Sequence, residues 1–252
     1  MNLLEILFPQ NLKCIFCGKE DGGFGICDRC MDKLPFIKGP TCKKCGVSIS
    51  SGDICIECKD SRHKFERVYS IFDYSGRVRN SILKIKQSGL KYLANPFSYI
   101  MFKYFESIKV PFDVIIPMPI HENRLKERGF NQSELLLKDI EKNYGRVYKN
   151  LLVRTKDTPH QTGLGKANRE SNLDHAFKVT DKQKVKGKII LLVDDIYTTG
   201  STLNECAKTL KRAGASKVFG LCLARTPINK EKILNKTTTI DFRPDDITKY
   251  VI

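Results

Sequence analysis

Asp194 and Asp195 stand side by side after five apolar residues and before Thr198-Thr199-Gly200-Ser201-Thr202. The apolar run is long enough for a buried strand of a parallel sheet, and ligands reach such sheets at the carboxyl ends of their strands. Two adjacent carboxylates placed there can accept hydrogen bonds from neighbouring hydroxyls, as on a ribose ring. Gly200 lets the backbone approach a ligand, and the N–H groups of 198–202 open a helix whose apolar positions are Leu203, Cys206, Ala207 and Leu210. Such a helix start binds phosphate. One turn can therefore hold a sugar and its 5′-phosphate. The plain alternative, an acidic turn with a Thr/Ser cap, leaves five successive small or hydroxylated positions unexplained.

The second chemical set is sulfur. Eight of the ten cysteines form four CxxC pairs, Cys14/Cys17, Cys27/Cys30, Cys42/Cys45 and Cys55/Cys58, and the last two pairs repeat the first two at an offset of 28. Two CxxC knuckles joined by nine residues can give zinc its four thiolates in a tetrahedron. Gly18 and Gly46 follow the first knuckle of each repeat, where a tight turn favours glycine. A disulfide framework is the competing use, and the start of the chain argues against it: Leu3 to Phe8 is interrupted by Glu5 and lacks a basic leader. Two pairings satisfy the spacing, sequential (14, 17, 27, 30 and 42, 45, 55, 58) or cross-braced (14, 17, 42, 45 and 27, 30, 55, 58). Either gives two closed, structural Zn2+ sites.

These residues need elements to position them. A chain of 252 residues accommodates one large α/β domain and a small module, with the polar stretch 60–66 as the boundary: residues 1–62 form the double zinc ribbon and 63–252 the larger domain. Strands are expected at 67–74, 113–119, 151–154, 189–193 and 217–225, with helices at 77–87, 96–108 and from 132 to about 142. The aromatics of 96–108 read as core. The basic helix 77–87 reads equally as a solvated face or a polyanion contact. No apolar run approaches membrane length, so no membrane insertion and a cytoplasmic location are expected. Of the net charge of +16, residues 1–66 hold ten basic and nine acidic side chains, a net of +1, so the excess sits in the larger domain and favours polyanions.

The segment VDDIYTTGST resembles the 5-phosphoribosyl-1-diphosphate (PRPP) motif of type I phosphoribosyltransferases. The resemblance implies a parallel sheet flanked by helices, Asp194 and Asp195 on the ribose hydroxyls, and Thr198, Thr199, Gly200, Ser201 and Thr202 around the 5′-phosphate, with Mg2+ accompanying PRPP. It also implies that the loop after the strand at 113–119 faces pyrophosphate, where Arg124, Lys126 and Arg128 could act, joined by Lys156, Lys166 and Arg169 from the long segment 155–188. With the zinc knuckles, Arg128-Gly129-Phe130-Asn131-Gln132 and the Gln161/Arg169 spacing, nearly the whole chain resembles the ComF (ComFC) family of competence-associated proteins. That implies PRPP-type sugar phosphates and single-stranded DNA as ligands during natural transformation, and a ComFA-like helicase as partner. The alternative is an active phosphoribosyltransferase, for which no segment identifies an acceptor pocket.

Overall fold

In the computed structural model, residues 13–20, 24–59, 61–157 and 173–227 are described. The elements in chain order are α1 (Asp28–Met31), α2 (Ile56–Lys59), β1 (Val68–Asp73), α3 (Gly76–Ser88), a 3-10 turn (Lys91–Leu93), α4 (Ala94–Ile108), β2 (Val114–Pro117), α5 (Glu122–Arg128), α6 (Gln132–Leu136), α7 (Lys138–Tyr144), β3 (Leu152–Arg154), β4 (Phe177–Val179), β5 (Ile189–Tyr197), α8 (Ser201–Arg212) and β6 (Lys217–Arg225).

Four strands make one sheet in the order β1-β6-β5-β2, with every neighbouring pair parallel. Parallel strands must be covered on both faces, which is why β5 and β6 are apolar almost continuously. The two-residue period sends Ile115, Leu191, Val193, Leu221 and Leu223 to one face, with α3, α4 and Phe97. Val114, Ile116, Ile190, Leu192 and Val218 go to the other face, with Leu203, Cys206, Ala207 and Leu210 of α8. On that side the approach of α8 to the sheet is close: a Cβ at Gly220 would stand 2.6 Å from Leu203. A separate antiparallel pair, β3 with β4, packs beside α8.

The two cysteine repeats are built into this arrangement, one on each face. Cys14, Ile26, Cys30, Met31 and Leu34 share the first core, whereas Cys42, Cys45, Val47, Cys55 and Cys58 share the second. The linker between them covers the free edge of β1: Ile37 N–H donates to Ile71 O (2.9 Å) and Asp73 N–H to Pro35 O (2.8 Å). Unpaired edges invite intermolecular pairing, so this strap also closes the sheet against aggregation. In α4, Phe97, Phe102 and Phe105 are buried, as core packing requires.

Several stretches differ from expectation. β5 runs past 193 to Tyr197, so the acidic pair stands within the strand. β4 lies in the segment 155–188, where no strand is expected, and the helix expected from 132 to about 142 is divided into α6 and α7. A loop is also replaced by α5. Residues 121–131, read as a loop, contain the helix α5. His121 caps it, its Nδ1 accepting from Asn123 N–H at 3.2 Å, Glu122 pairs with Lys126 one turn on, and Gly129 ends it at φ 76°. No residue of α5 is buried, so the hydrophobic periodicity that signals a helix is absent.

Candidate functional site: an anion cleft at the carboxyl edge of the sheet

β5 ends at the carboxyl edge, between β6 and β2, and its last residues include the acidic pair. Asp194 Oδ1 accepts from the Asp195 backbone N–H (2.8 Å) and from Ser133 Oγ (3.3 Å). Asp195 is 4% exposed, and its Oδ2 lies 2.5 Å from Lys86 Nζ on the last turn of α3. Loss of solvent, with the neighbouring Asp195 charge adding to it, raises the Asp194 pKa well above the usual carboxylate range, and Lys86 opposes the shift. Two carboxyl groups are thus held together at the sheet edge, with the Lys86 ammonium against Asp195.

The chain then turns at Gly200 with φ 79° and enters α8, a twelve-residue helix. Thr199 Oγ1 and Ser201 Oγ lie 2.9 Å apart, and Ser201 N–H donates to Thr199 Oγ1 at 3.4 Å. Glycine is required here twice over: φ is left-handed, and a Cβ would stand 2.6 Å from Tyr197 Cζ. The amides at the start of α8 retain their electrostatic preference for an anion.

A cleft of about 730 Å³ opens in front of this turn, lined by Thr198, Thr199, Ser201 and Thr202 and, across from them, by Lys86, Arg124 and Arg128. Asp194, Thr198, Gly200 and Thr202 line a smaller adjoining recess. The structure therefore brings the hydroxylated turn together with Arg124 and Arg128. It does not bring Lys126, which is exposed and paired with Glu122 at 2.7 Å, or Lys156, whose Nζ donates to Asp174 O at 2.7 Å. Lys166, Arg169 and the Gln161 spacing lie outside the described residues.

The residues of 128–133 act as a bracket. Burial lowers the Arg128 pKa, with Asp195 opposing, yet a guanidinium stays charged at neutral pH. Gln132 Oε1 accepts from Arg128 Nη1. Asn131 caps α6, accepting from Ser133 N–H at 3.0 Å, while its Nδ2 donates to Met118 O at 3.0 Å. Ser133 then reaches Asp194. Sequence alone does not mark Lys86 or Ser133 as site residues, and it marks Gln132 only as part of the 128–132 motif. Lys86 carries the one available signal, a cation on an amphipathic helix, and which side that cation faces is decided by packing.

The eight thiols also find their partners. Cys14, Cys17, Cys27 and Cys30 form one cluster and Cys42, Cys45, Cys55 and Cys58 another, each with sulfurs within 4.8 Å of one another. This is the sequential pairing. The 3.6 Å separations of Cys17/Cys27 and Cys45/Cys55 approach the edge of about 3.8 Å that a Zn–S bond near 2.3 Å sets for a tetrahedron. Lys44 N–H (3.4 Å) and Cys55 N–H (3.3 Å) point at Cys42 Sγ, the backbone support a thiolate needs. Four thiols with no open position fit a structural zinc ion, which would hold each knuckle pair closed.

Fold and site together define a zinc-ribbon protein with a phosphoribosyltransferase-like domain. The double zinc ribbon domain family matches residues 3–59, and the phosphoribosyl transferase domain family matches 148–249. The DNA utilization protein YhgH of Escherichia coli O6:H1 is 30% identical over 213 residues, covering 81% of this chain and 92% of that protein. Competence protein F of Haemophilus influenzae is 27% identical, covering 85% and 97%, and competence protein ComFC of Bacillus subtilis is 27% identical, covering 89% and 94%. The chain belongs to this ComF/YhgH family. Among the described residues no helix is long and apolar enough to cross a membrane.

Proposed function

We propose that this protein binds PRPP or a related ribose 5-phosphate in the cleft and handles single-stranded DNA in the cytoplasm during natural transformation, beside a ComFA-like helicase. The observation that carries the ligand class is the meeting of the Thr198–Thr202 turn with Lys86, Arg124 and Arg128 across one cleft. The turn suits the 5′-phosphate, the acidic pair the ribose hydroxyls, and the guanidinium groups the diphosphate. Among the described residues no third carboxylate joins Asp194 and Asp195 in a metal-ligand cluster. Magnesium would come as the counter-ion of the diphosphate. The DNA reading rests on the names of the relatives and on the basic excess of the larger domain.

Calorimetric titration with PRPP and with an oligonucleotide, separately and in competition, tests both halves. Asp195→Asn should weaken PRPP at least ~10-fold, the worth of a charge-assisted hydrogen bond. Unchanged affinity overturns the ribose assignment. Oligonucleotide affinity should fall steeply with salt, and salt-independent or absent binding removes the DNA role. Release of pyrophosphate from PRPP in the presence of one acceptor base would instead make the protein a phosphoribosyltransferase.

A further inference from the structure

Arg225, at the end of β6, is the largest fully buried side chain among the described residues, with 1% exposure. Among the described residues no carboxylate forms an ion pair with it. Its Nη1 donates to Cys45 O at 2.9 Å and to Cys45 Sγ at 3.1 Å, and its guanidinium carbon lies 5.3 Å from the centre of the Tyr197 ring. Tyr197 is its register partner across the sheet, and Thr226 N–H donates to Tyr197 O at 2.9 Å. The Tyr197 ring in turn fills the space against Gly200, where even a methyl group has no room. A thiolate of the second cysteine cluster, a buried cation, an aromatic ring and the apex of the phosphate turn therefore touch in sequence. A guanidinium buried this deeply needs negative charge, and a zinc-bound thiolate supplies it.

We propose that the second zinc site and the phosphate turn are one coupled unit, with Arg225 and Tyr197 as its positioning residues. Zinc held by Cys42, Cys45, Cys55 and Cys58 fixes Arg225, Arg225 fixes the Tyr197 ring, and the ring sets the Gly200 turn. The inference rests on the phosphate-binding reading of that turn. Coupling of this kind is reciprocal: zinc tightens phosphate binding, and phosphate tightens the hold on zinc by the same factor. The first cluster, on the opposite face of the sheet, takes no part.

The test uses the zinc-loaded full chain with ribose 5-phosphate as probe. Zinc loss under a chelator is followed by N-ethylmaleimide labelling of the freed thiols, mapped peptide by peptide. Saturating ribose 5-phosphate should slow labelling of Cys45 and Cys58 at least ~5-fold, the lower end of allosteric coupling, and leave Cys14 and Cys17 unchanged. Tyr197→Leu, which removes the ring, and Arg225→Met should weaken ribose 5-phosphate at least ~5-fold and abolish the protection. The wild-type labelling pattern needs no variant, so an unfolded Arg225→Met leaves the test intact. Wild-type binding without selective protection, or protection of both clusters alike, overturns the coupling and leaves the phosphate site standing. Absence of ribose 5-phosphate binding by the wild type overturns the phosphate site and the coupling with it.

Discussion

The two cysteine repeats share spacing, knuckle glycines and sequential ligation, and the fold uses them differently. In the first, Cys17 is exposed and Cys27 half-buried; in the second all four cysteines are buried. The first packs onto the helical face of α3 and α4 through Phe16, whose ring lies 6.4 Å from Phe97 and 5.4 Å from the Arg77 guanidinium. The second is joined by backbone to β1, Val68 N–H donating to Lys44 O at 2.9 Å, and by Arg225 to the carboxyl edge where the anion cleft lies. A repeat in sequence is thus not a repeat in role. Local spacing forms each knuckle, whereas the sheet decides which of them stands beside the site.

The largest effect should come from unequal loss of ligands. Cys45→Ser removes a buried zinc ligand and the sulfur facing a buried guanidinium, at a cost on the order of 5 kcal/mol. Thermal unfolding should drop by roughly 10–20 °C in a chain of this size. Cys17→Ser, at an exposed ligand, should cost less than half as much. Zinc content of about one equivalent for each variant, with equal melting points, would break the distinction between the repeats.

A finer comparison uses the two knuckle glycines. Gly18 has φ 71° and open space, with nothing within 4 Å of where a methyl group would stand, while at Gly46, φ 72°, a methyl carbon would stand 2.6 Å from Val68 O. Alanine at 18 bears only the left-handed backbone penalty, about 1 kcal/mol. Alanine at 46 must also push the knuckle off β1, for about 3 kcal/mol in all. Urea denaturation of Gly18→Ala and Gly46→Ala measures both, and equal midpoints would show that the second knuckle does not depend on its contact with β1.

Legibility followed how local the physics is. The CxxC pairs, the buried strands β5 and β6 and the Gly200 turn could be read because their signals are contained within about fifteen residues. Helix α5 escaped because it buries nothing and is held by caps and an i,i+4 pair. Lys86 and Arg225 escaped for another reason. Lys86 meets Asp195 from 109 positions away, and Arg225 meets Cys45 from 180 positions away. A cation in a basic chain gives no sign of which carboxylate or thiolate the fold will bring to it. The pairing of the cysteines was open for the same reason, since both arrangements satisfy local geometry.

The smallest effect should arise at the acidic pair, on the sheet rather than in either repeat, and it runs in the stabilising direction. A carboxyl whose pKa is raised in the folded state binds its proton more tightly there than in the unfolded chain. Stability therefore falls as pH rises from the ordinary carboxylate range, near ~4, through the raised Asp194 value. Asp194→Asn keeps an oxygen for the Asp195 N–H and Ser133 Oγ while removing the charge. It should stabilise the ligand-free protein at neutral pH by roughly 0.5 kcal/mol, as substitutions at strained binding sites often do, and the gain should shrink as pH falls toward ~4. Lys86 is then left with Asp195 alone, a closer match of one cation to one carboxylate. Thermal unfolding of wild type and Asp194→Asn across this pH range gives the answer. A gain that persists unchanged at acid pH would assign the effect to packing, and a loss at neutral pH would mean that the paired carboxylates are not in conflict. Labelling of the eight ligand cysteines should be the same in both proteins without ligand, because the change alters charge beside the turn and leaves the Tyr197–Arg225 contact in place.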